Sequence, residues 1–234
     1  MKITALIPAY NEEENIEHTI SGLLKLKKEF KEKRNIDFEI IVIDDGSSDN
    51  TRKIAQRYDV EVLGFDENLG KGEALDYGIK KSRGDIVLFL DADLRESSFE
   101  AYKLVNPIIK GKADVTVARL PAPKIKTGLG LVKTLAYRGV KFFTGHEFSC
   151  PLSGQRAFKR NVLDEIKQIP GGYGIEVGML IDILKQGHNI LEVDVDMYHD
   201  ITGRNLRGFL HRGKQFLHIL KILINKIGEK KTIA

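Results

Sequence analysis

The segment GDIVLFLDADL, residues 84–94, decides the fold that this sequence predicts. Its apolar run 86–90 leads without interruption into Asp91, Ala92 and Asp93. Such a run is typical of a strand buried on both faces, and the carboxyl end of such a strand lies where open α/β sheets bind ligands. Two carboxylates there predict a Mg²⁺ or Mn²⁺ site that suits a diphosphate. The alternative is a strand-end turn that happens to be acidic.

Apolar strands alternate with helical patterns through the first 118 residues. This alternation predicts an α/β fold, an open and mostly parallel sheet with helices on both faces and right-handed crossovers. We predict strands at 2–7, 38–43, 60–63, 85–90, 113–118 and 190–195, a return to the sheet at 153–158, and helices at 12–30, 49–58, 72–81, 97–110, 132–143, 162–166, 175–186 and 206–227, with Ser48 or Asp49 and Ser97 or Ser98 as N-caps.

The length of 234 residues predicts one large domain, which we place at 1–205. Its first half, 1–118, has the pattern of a nucleotide-binding half, and its second half, 119–205, is expected to bind the acceptor on the same sheet. Residues 206–234 are predicted to form a basic amphipathic helix. The apolar face expected for this helix carries Phe209, Phe216, Leu220, Leu223 and Ile227.

Composition and charge limit the class of protein. The content of 42% apolar and 30% charged residues is ordinary for a globular protein, and a single cysteine excludes a disulfide framework. The single cysteine fits a reducing cytoplasm, where we expect the protein. No stretch approaches the ~20 apolar residues of a spanning helix, so we expect a protein that is not integral to a membrane. No nucleic-acid partner is expected. Residues 199–234 hold eight Lys or Arg and two Asp or Glu. This tail is expected to contact anionic lipid at the inner membrane surface, the protein core or a second copy in a homodimer.

Acidic residues follow three of the predicted strands, and all three groups fall at one edge of a parallel sheet. PAYNEE (8–13) follows the first strand and DDGS (44–47) the second, while Asp91 and Asp93 follow the fourth. Carboxylates at the first two positions are expected to accept hydrogen bonds from a base N–H or from ribose hydroxyls. Two structural alternatives stay open for them, an acidic first helical turn at 12–14 and an N-capped turn at 44–47.

A lysine between two glycines opens the helix predicted after the third strand. Gly70 and Gly72 let the backbone approach a ligand, and Lys71 adds positive charge to a helix N-terminus. An ordinary helix-start turn would account for the same residues. The spacing of a phosphate-binding Walker loop is absent from the sequence, and no G-x-G-x-x-G follows the first strand, so neither a Walker ATPase nor a dinucleotide dehydrogenase is indicated.

Four segments together carry a resemblance: PAYNEEENI (8–16), IVIDDGSSDNT (41–51), NLGKGEAL (68–75) and GDIVLFLDADL (84–94). In this order and spacing they resemble the family-2 glycosyltransferases of GT-A fold. The resemblance implies a nucleotide-sugar donor, UDP- or GDP-linked, and Mg²⁺ or Mn²⁺ at the DxD pair. The nucleotide-sugar-binding residues that it implies are Pro8, Tyr10, Glu12, Asp45, Gly46, Lys71, Asp91, Ala92 and Asp93.

The second half is similar to the glucosyl-3-phosphoglycerate synthases in PLSGQRAFKR (151–160) and GGYGIEVGMLIDIL (171–184). That similarity implies that His199 joins Asp91 and Asp93 as a metal ligand and that Glu176 lies beside the donor sugar. The residues implied to act in catalysis are Glu176, Asp93 and Lys71.

The acceptor is the open part of the prediction. Where the synthases carry an arginine for the acceptor phosphate, this chain has Leu131, and Lys133 supplies a point charge in place of a bidentate fork. Three functions are open: transfer to a small phosphorylated acid, transfer to a polyprenyl phosphate at the membrane surface, and a sugar nucleotidyltransferase or non-catalytic nucleotide-sugar-binding protein. The predicted acceptor-binding residues are Lys133, Ser153, Gly154 and Arg204.

Overall fold

The computed structural model describes residues 1–121, 130–166, 169, 172–198 and 206–232. Strands and helices alternate as far as the fifth strand, and helices dominate the second half. The elements are β1 (Lys2–Ala9), α1 (Ile16–Arg34), β2 (Asp37–Asp45), α2 (Thr51–Ala55), β3 (Glu61–Phe65), α3 (Lys71–Lys81), β4 (Ile86–Phe89), a 3-10 helix (Arg95–Ala101), α4 (Tyr102–Ile109), β5 (Val115–Arg119), α5 (Leu131–Thr144), β6 (Arg156–Lys159), α6 (Arg160–Asp164), a 3-10 turn (Gly172–Gly174), α7 (Ile175–Lys185), β7 (Ile190–Asp194) and α8 (Leu206–Thr232).

Seven strands form one sheet in the order β3-β2-β1-β4-β6-β5-β7. All neighbouring strands are parallel except for β6, which runs antiparallel to both β4 and β5. The predicted mostly parallel α/β sheet is therefore confirmed, and the expected return to the sheet at 153–158 is a short antiparallel strand. This reversal places the start of β6 beside the carboxyl end of β4.

Helices cover both faces of the sheet because its strands are apolar on both sides. All four residues of β4 are buried, as the unbroken apolar run predicts. On one face α1 and α4 pack through residues such as Ile20 and Leu104, and on the other α3, α6 and α7 pack through residues such as Leu75, Val162 and Met179.

Some predicted helix starts are wrong for local reasons. Residues 12–15 form a turn over the sheet edge, and α1 begins only at Ile16. The Oδ1 atom of Asp49 accepts the amide hydrogen of Thr51 at 2.9 Å, but the N-cap of α2 is Asn50. Ser97 and Ser98 are not caps, because they lie within the 3-10 helix, where the Ser98 hydroxyl donates to the Thr19 carbonyl at 2.8 Å.

The C-terminal helix α8 packs on the second half of the sheet domain. Its buried Ile219 and Leu223 belong to a hydrophobic cluster that also contains residues of α5 and α7. Among the predicted apolar-face residues Ile227 is 45% exposed, whereas Ile219, which was not predicted, is fully buried. Within the described residues, no helix combines the length and the apolarity needed to cross a bilayer.

Candidate active site

The three acidic strand ends lie next to one another at the carboxyl edge of the sheet. Strand β1 sits between β2 and β4, and its last residue, Ala9, is in register with Asp44. Parallel pairing therefore brings the residues after β1, β2 and β4 together, as predicted. What the structure adds is how each carboxylate is held.

The two aspartates at the end of β2 face different surroundings. Asp44 forms an ion pair with Arg52, with 3.0 Å between the Oδ2 and Nε atoms. Asp45 lines the central cavity and accepts the amide hydrogens of Leu69 at 2.8 Å and Gly70 at 2.9 Å. Burial raises the pKa of Asp45, the charge of Asp44 adds to the effect, and the two amides oppose it.

Gly46 and Glu12 shape the loops around Asp45. Gly46 has φ 69°, and a Cβ there would lie 2.3 Å from the carbonyl carbon of Glu67, so this position needs glycine for the turn. Gly46 lies in that turn, outside the residues that line the cavity. Glu12 does line it, and its backbone amide donates to the Thr51 hydroxyl at 2.8 Å, which ties the first loop to the second.

Lys71 joins the two halves of the site. Its Nζ atom lies 2.6 Å from Asp91 Oδ1 and 3.4 Å from Glu176 Oε1. Burial opposes the charge, but the two carboxylates outweigh it and raise the pKa of Lys71 above its ordinary value. Lys71 therefore carries a fixed positive charge at the start of α3, whether or not a phosphate is present.

Two residues hold this cluster: Gln155, directly before β6, and Arg156, the first residue of β6. Sequence reasoning missed both. Gln155 Nε2 donates to Asp91 Oδ2 at 2.6 Å. Arg156 is 2% exposed and donates to three backbone carbonyls, among them that of Glu176 at 2.9 Å. Burial lowers the pKa of Arg156 to about 10, so its guanidinium stays charged at neutral pH. In the sequence, Gln155 and Arg156 follow a glycine, and no motif or spacing distinguishes them from the start of an ordinary strand.

Two cavities meet at Asp91. The larger has a volume of about 690 Å³ and contains every predicted nucleotide-sugar residue except Gly46. The smaller has a volume of about 280 Å³ and contains the predicted acceptor residues Lys133, Ser153 and Gly154. Gly154 belongs to both, and a Cβ on it would lie 2.8 Å from Lys71 Nζ. Glycine at this position therefore keeps the junction of the cavities open.

Helix α8 forms one wall of the larger cavity, which the sequence did not predict. Gln215 and Ile219 line it together with Gly172 and Glu176. A Cβ on Gly172 would lie 2.3 Å from the ring of His218, so α8 packs tightly on the turn that precedes α7. The helix that looked like a tail is therefore part of the site.

The metal prediction is supported by the chemistry of the ligands that the structure describes. Asp91 and Asp93 place two carboxylates in the cavity, and hard oxygen ligands of this kind fit Mg²⁺ or Mn²⁺. Within the described part of the chain, no three His, Cys, Asp or Glu side chains cluster closely enough to enclose an ion. The predicted third ligand, His199, and the predicted acceptor residue Arg204 lie outside the described residues.

Comparison with known proteins agrees with this fold. The sequence model of glycosyl transferase family 2 matches residues 4–167, and the chain belongs to that family. Its fold is the GT-A fold of the resemblance.

The similar proteins include enzymes of two kinds. Glucosyl-3-phosphoglycerate synthase of Mycobacterium tuberculosis (strain ATCC 25618 / H37Rv) is 32% identical over 201 residues, 77% of this chain and 60% of that protein. Poly-beta-1,6-N-acetyl-D-glucosamine synthase of Staphylococcus aureus (strain COL) is 38% identical over 140 residues, 58% of this chain and 32% of that protein. The chain thus spans less than two thirds of the length of either relative.

Solved structures extend the likeness over nearly the whole chain. The M. tuberculosis glucosyl-3-phosphoglycerate synthase in complex with Mn²⁺, uridine diphosphate and phosphoglyceric acid has a TM-score of 0.80 and 26% identity, covering 97% of this chain and 78% of that one. Mannosyl-3-phosphoglycerate synthase from Rubrobacter xylanophilus has a TM-score of 0.82, and covers 99% of this chain and 75% of that one. At 21% identity, the second likeness supports the fold alone.

Proposed function

We propose that this protein is a metal-dependent glycosyltransferase that moves a sugar from a UDP- or GDP-linked donor to a phosphate-bearing acceptor such as 3-phosphoglycerate. The observation that carries the proposal is the meeting of two cavities at Asp91, one lined by donor-type residues and one by Lys133, Ser153 and Gly154. Family membership and the phosphoglycerate-binding relative support the same assignment.

The donor is assigned to the larger cavity. Pro8, Tyr10 and Glu12 would border the base, because they line the cavity at the end of β1, which pairs with β2 beside Asp45. Asp45 would accept hydrogen bonds from the base or the ribose, as aspartates at strand ends do in other nucleotide sites. The diphosphate would then lie toward Lys71, since this lysine is the cation between the nucleotide side and Glu176.

Asp91 and Asp93 would hold the divalent cation, with His199 as the third protein ligand. A bound Mg²⁺ or Mn²⁺ supplies electrostatic stabilisation of the departing diphosphate. Lys71 adds a preorganised positive charge that needs no movement during the reaction. Glu176 lies in the first turn of α7, held by Lys71 and by the Arg156 bond to its carbonyl, and lines the larger cavity. From there it would face the donor sugar.

A small acid suits the second cavity. Its volume of about 280 Å³ leaves room for a three-carbon phosphorylated acid, and Lys133 supplies the charge for a phosphate. Ser153 and Gly154 line the same wall, and Arg204 is proposed to add a second cation. Leu131, at the arginine position of the synthases, is exposed, so the phosphate contact falls to the lysine.

A lipid-linked phosphate is the second candidate acceptor, and the outward face of α8 favours it. Leu217 and Ile224 are exposed there beside Lys214 and Lys221, a combination that suits an anionic membrane surface. Sedimentation of the full chain with anionic and neutral vesicles tests this placement. Binding to anionic vesicles alone supports it, whereas a concentration-dependent dimer without vesicle binding assigns the face to a second copy.

A panel of donors and acceptors tests the function. UDP-glucose, UDP-N-acetylglucosamine and GDP-mannose are each mixed with 3-phosphoglycerate or a short polyprenyl phosphate, with Mg²⁺, Mn²⁺ or EDTA. We expect nucleoside diphosphate release that needs both acceptor and metal, together with a glycosylated product. Pyrophosphate exchange would instead identify a nucleotidyltransferase, and tight donor binding without release under any combination would identify a binding protein.

A further inference from the structure

Gln155 reaches Asp91 because β6 runs against the parallel strands. Strand β6 pairs with β4 in antiparallel register, with Arg156 opposite Phe89. The residue before β6 therefore arrives at the edge where the chain leaves β4 toward Asp91. A parallel strand in this place would have brought its carboxyl end to the edge, and its start would lie at the opposite edge of the sheet.

The hydrogen bonds of Gln155 fix the orientation of its amide group. Its Nε2 donates to Asp91 Oδ2 at 2.6 Å, and its Oε1 accepts from the Ser153 hydroxyl at 3.3 Å. The residue is 1% exposed, and a buried amide that lost a partner would cost free energy. An ionised carboxylate can only accept, so the nitrogen must face Asp91.

The two donors to Asp91 differ in charge. Lys71 binds Oδ1 and Gln155 binds Oδ2, both at 2.6 Å, so each carboxylate oxygen has its own donor. Lys71 also donates a hydrogen bond to Glu176, whereas the Gln155 amide nitrogen donates to Asp91. The neutral amide thus orients the carboxylate without altering the charge balance at the junction of the two cavities.

We propose that Gln155 is a positioning residue that sets the orientation of Asp91 for turnover. The inference rests on the proposed function, in which Asp91 holds metal and donor. Gln155→Met keeps the size of the side chain and removes the donor, so kcat/KM should fall about tenfold to a hundredfold, the worth of a hydrogen bond to a charged group. The melting temperature of Gln155→Met should stay close to that of the wild type.

Gln155→Glu supplies a readout that a merely structural role would not move. Glutamate keeps the size of the side chain but removes the amide donor and places an acidic group against Asp91. Because Asp91 is proposed to hold the metal, both variants should need more Mn²⁺ for half-maximal activity than the wild type.

The experiment measures kcat/KM over a range of Mn²⁺ concentrations for the wild type, both variants and Gln186→Glu, in which the same change falls on the exposed C-cap of α7. The control should follow the wild-type profile. The inference is overturned if the wild type transfers sugar, the Gln155→Glu profile runs parallel to the wild-type profile, and the turnover of Gln155→Met equals that of the wild type. Such a result would leave the proposed function intact.

A titration of UDP with Mn²⁺ on the same preparations separates the two failures. If the wild type transfers no sugar with any donor of the panel, the proposed function fails, and the inference is judged by nucleotide affinity alone. A weaker affinity of Gln155→Met for UDP and Mn²⁺ than that of the wild type supports positioning of Asp91, and matching affinities overturn it.

Discussion

The two halves of the chain build their parts of this site in different ways. In the first half, which forms the donor side, Asp45 ends β2, and Asp91 and Asp93 follow β4 within four residues, so parallel pairing of β1, β2 and β4 brings these carboxylates together. The second half contributes the residues before β6 to the smaller cavity, and the first turn of α7 and one face of α8 to the larger cavity. The donor side is therefore held by the sheet, whereas the walls from the second half depend on contacts between helices.

This difference predicts how substitutions behave. Changes on the donor side should impair chemistry and leave the fold intact, because the strand backbones hold the loops. Changes at the helix contacts should act through stability and only then on the site. Lys71 is where both kinds of effect meet, since it bridges Asp91 from the first half of the chain and Glu176 from the second half.

The largest effect is expected for Asp93→Ala. Loss of a proposed metal ligand should reduce transfer about a thousandfold or more, because stabilisation of the leaving diphosphate is lost. Mn²⁺ affinity in the presence of UDP, measured by calorimetry, should fall with it while the melting temperature holds. Asp59→Ala is the matched control, an exposed aspartate that pairs with Lys27 away from the cavity. Full activity of Asp93→Ala would refute the donor assignment.

The next effect is expected for Lys71→Met, which tests the junction. Its raised pKa means that Lys71 is charged throughout the neutral range, and its contribution to stability is lost only above its ordinary pKa, as the pH rises through the folded value. We expect kcat to fall about a hundredfold. Asp91 and Glu176 would then lose the lysine charge that lies between them. Wild-type kcat in this variant would contradict the proposed role of that charge.

Much of the fold and of the donor side follows from the sequence, for a physical reason. Strand β4 ends beside Asp91 in the chain, so an apolar run and an acidic pair identify each other locally. Gln155 and Gln215 carry no such mark, because they come to the cavities through an antiparallel strand and a docked helix. The predicted apolar face of α8 missed Ile219 for the same reason, since the partners of Ile219 on α5 and α7 are distant in sequence.

Leu223→Ala tests whether the wall that α8 contributes to the larger cavity depends on helix packing. Leu223 is 7% exposed and packs on Gly139 of α5, where a Cβ would lie 2.7 Å from its methyl carbons. Truncation should cost about 2–3 kcal/mol of unfolding free energy, the lower part of the range for a buried leucine. Leu217→Ala, at 62% exposure on the same helix, should cost far less. Urea unfolding of both variants decides it, and equal losses would mean that α8 is not docked in solution.

Asp45→Asn should change stability less than Leu223→Ala does, and in the opposite direction. Burial raises the pKa of Asp45 in the folded protein, so its favourable contribution is present below the ordinary pKa and is lost as the pH rises through the folded value. Asparagine keeps an oxygen for the Leu69 and Gly70 amides and removes the buried charge. The variant should therefore be about 1 kcal/mol more stable than the wild type at pH 7, with the difference shrinking toward pH 4. UDP affinity should fall about tenfold at the same time, because a charged acceptor is replaced by a neutral one. Urea unfolding at both pH values and calorimetry with UDP measure the two quantities. A variant less stable at pH 7 would show that the hydrogen bonds from the two amides stabilise the Asp45 carboxylate by more than its burial costs. Asp45 would then stabilise the donor side together with the strands.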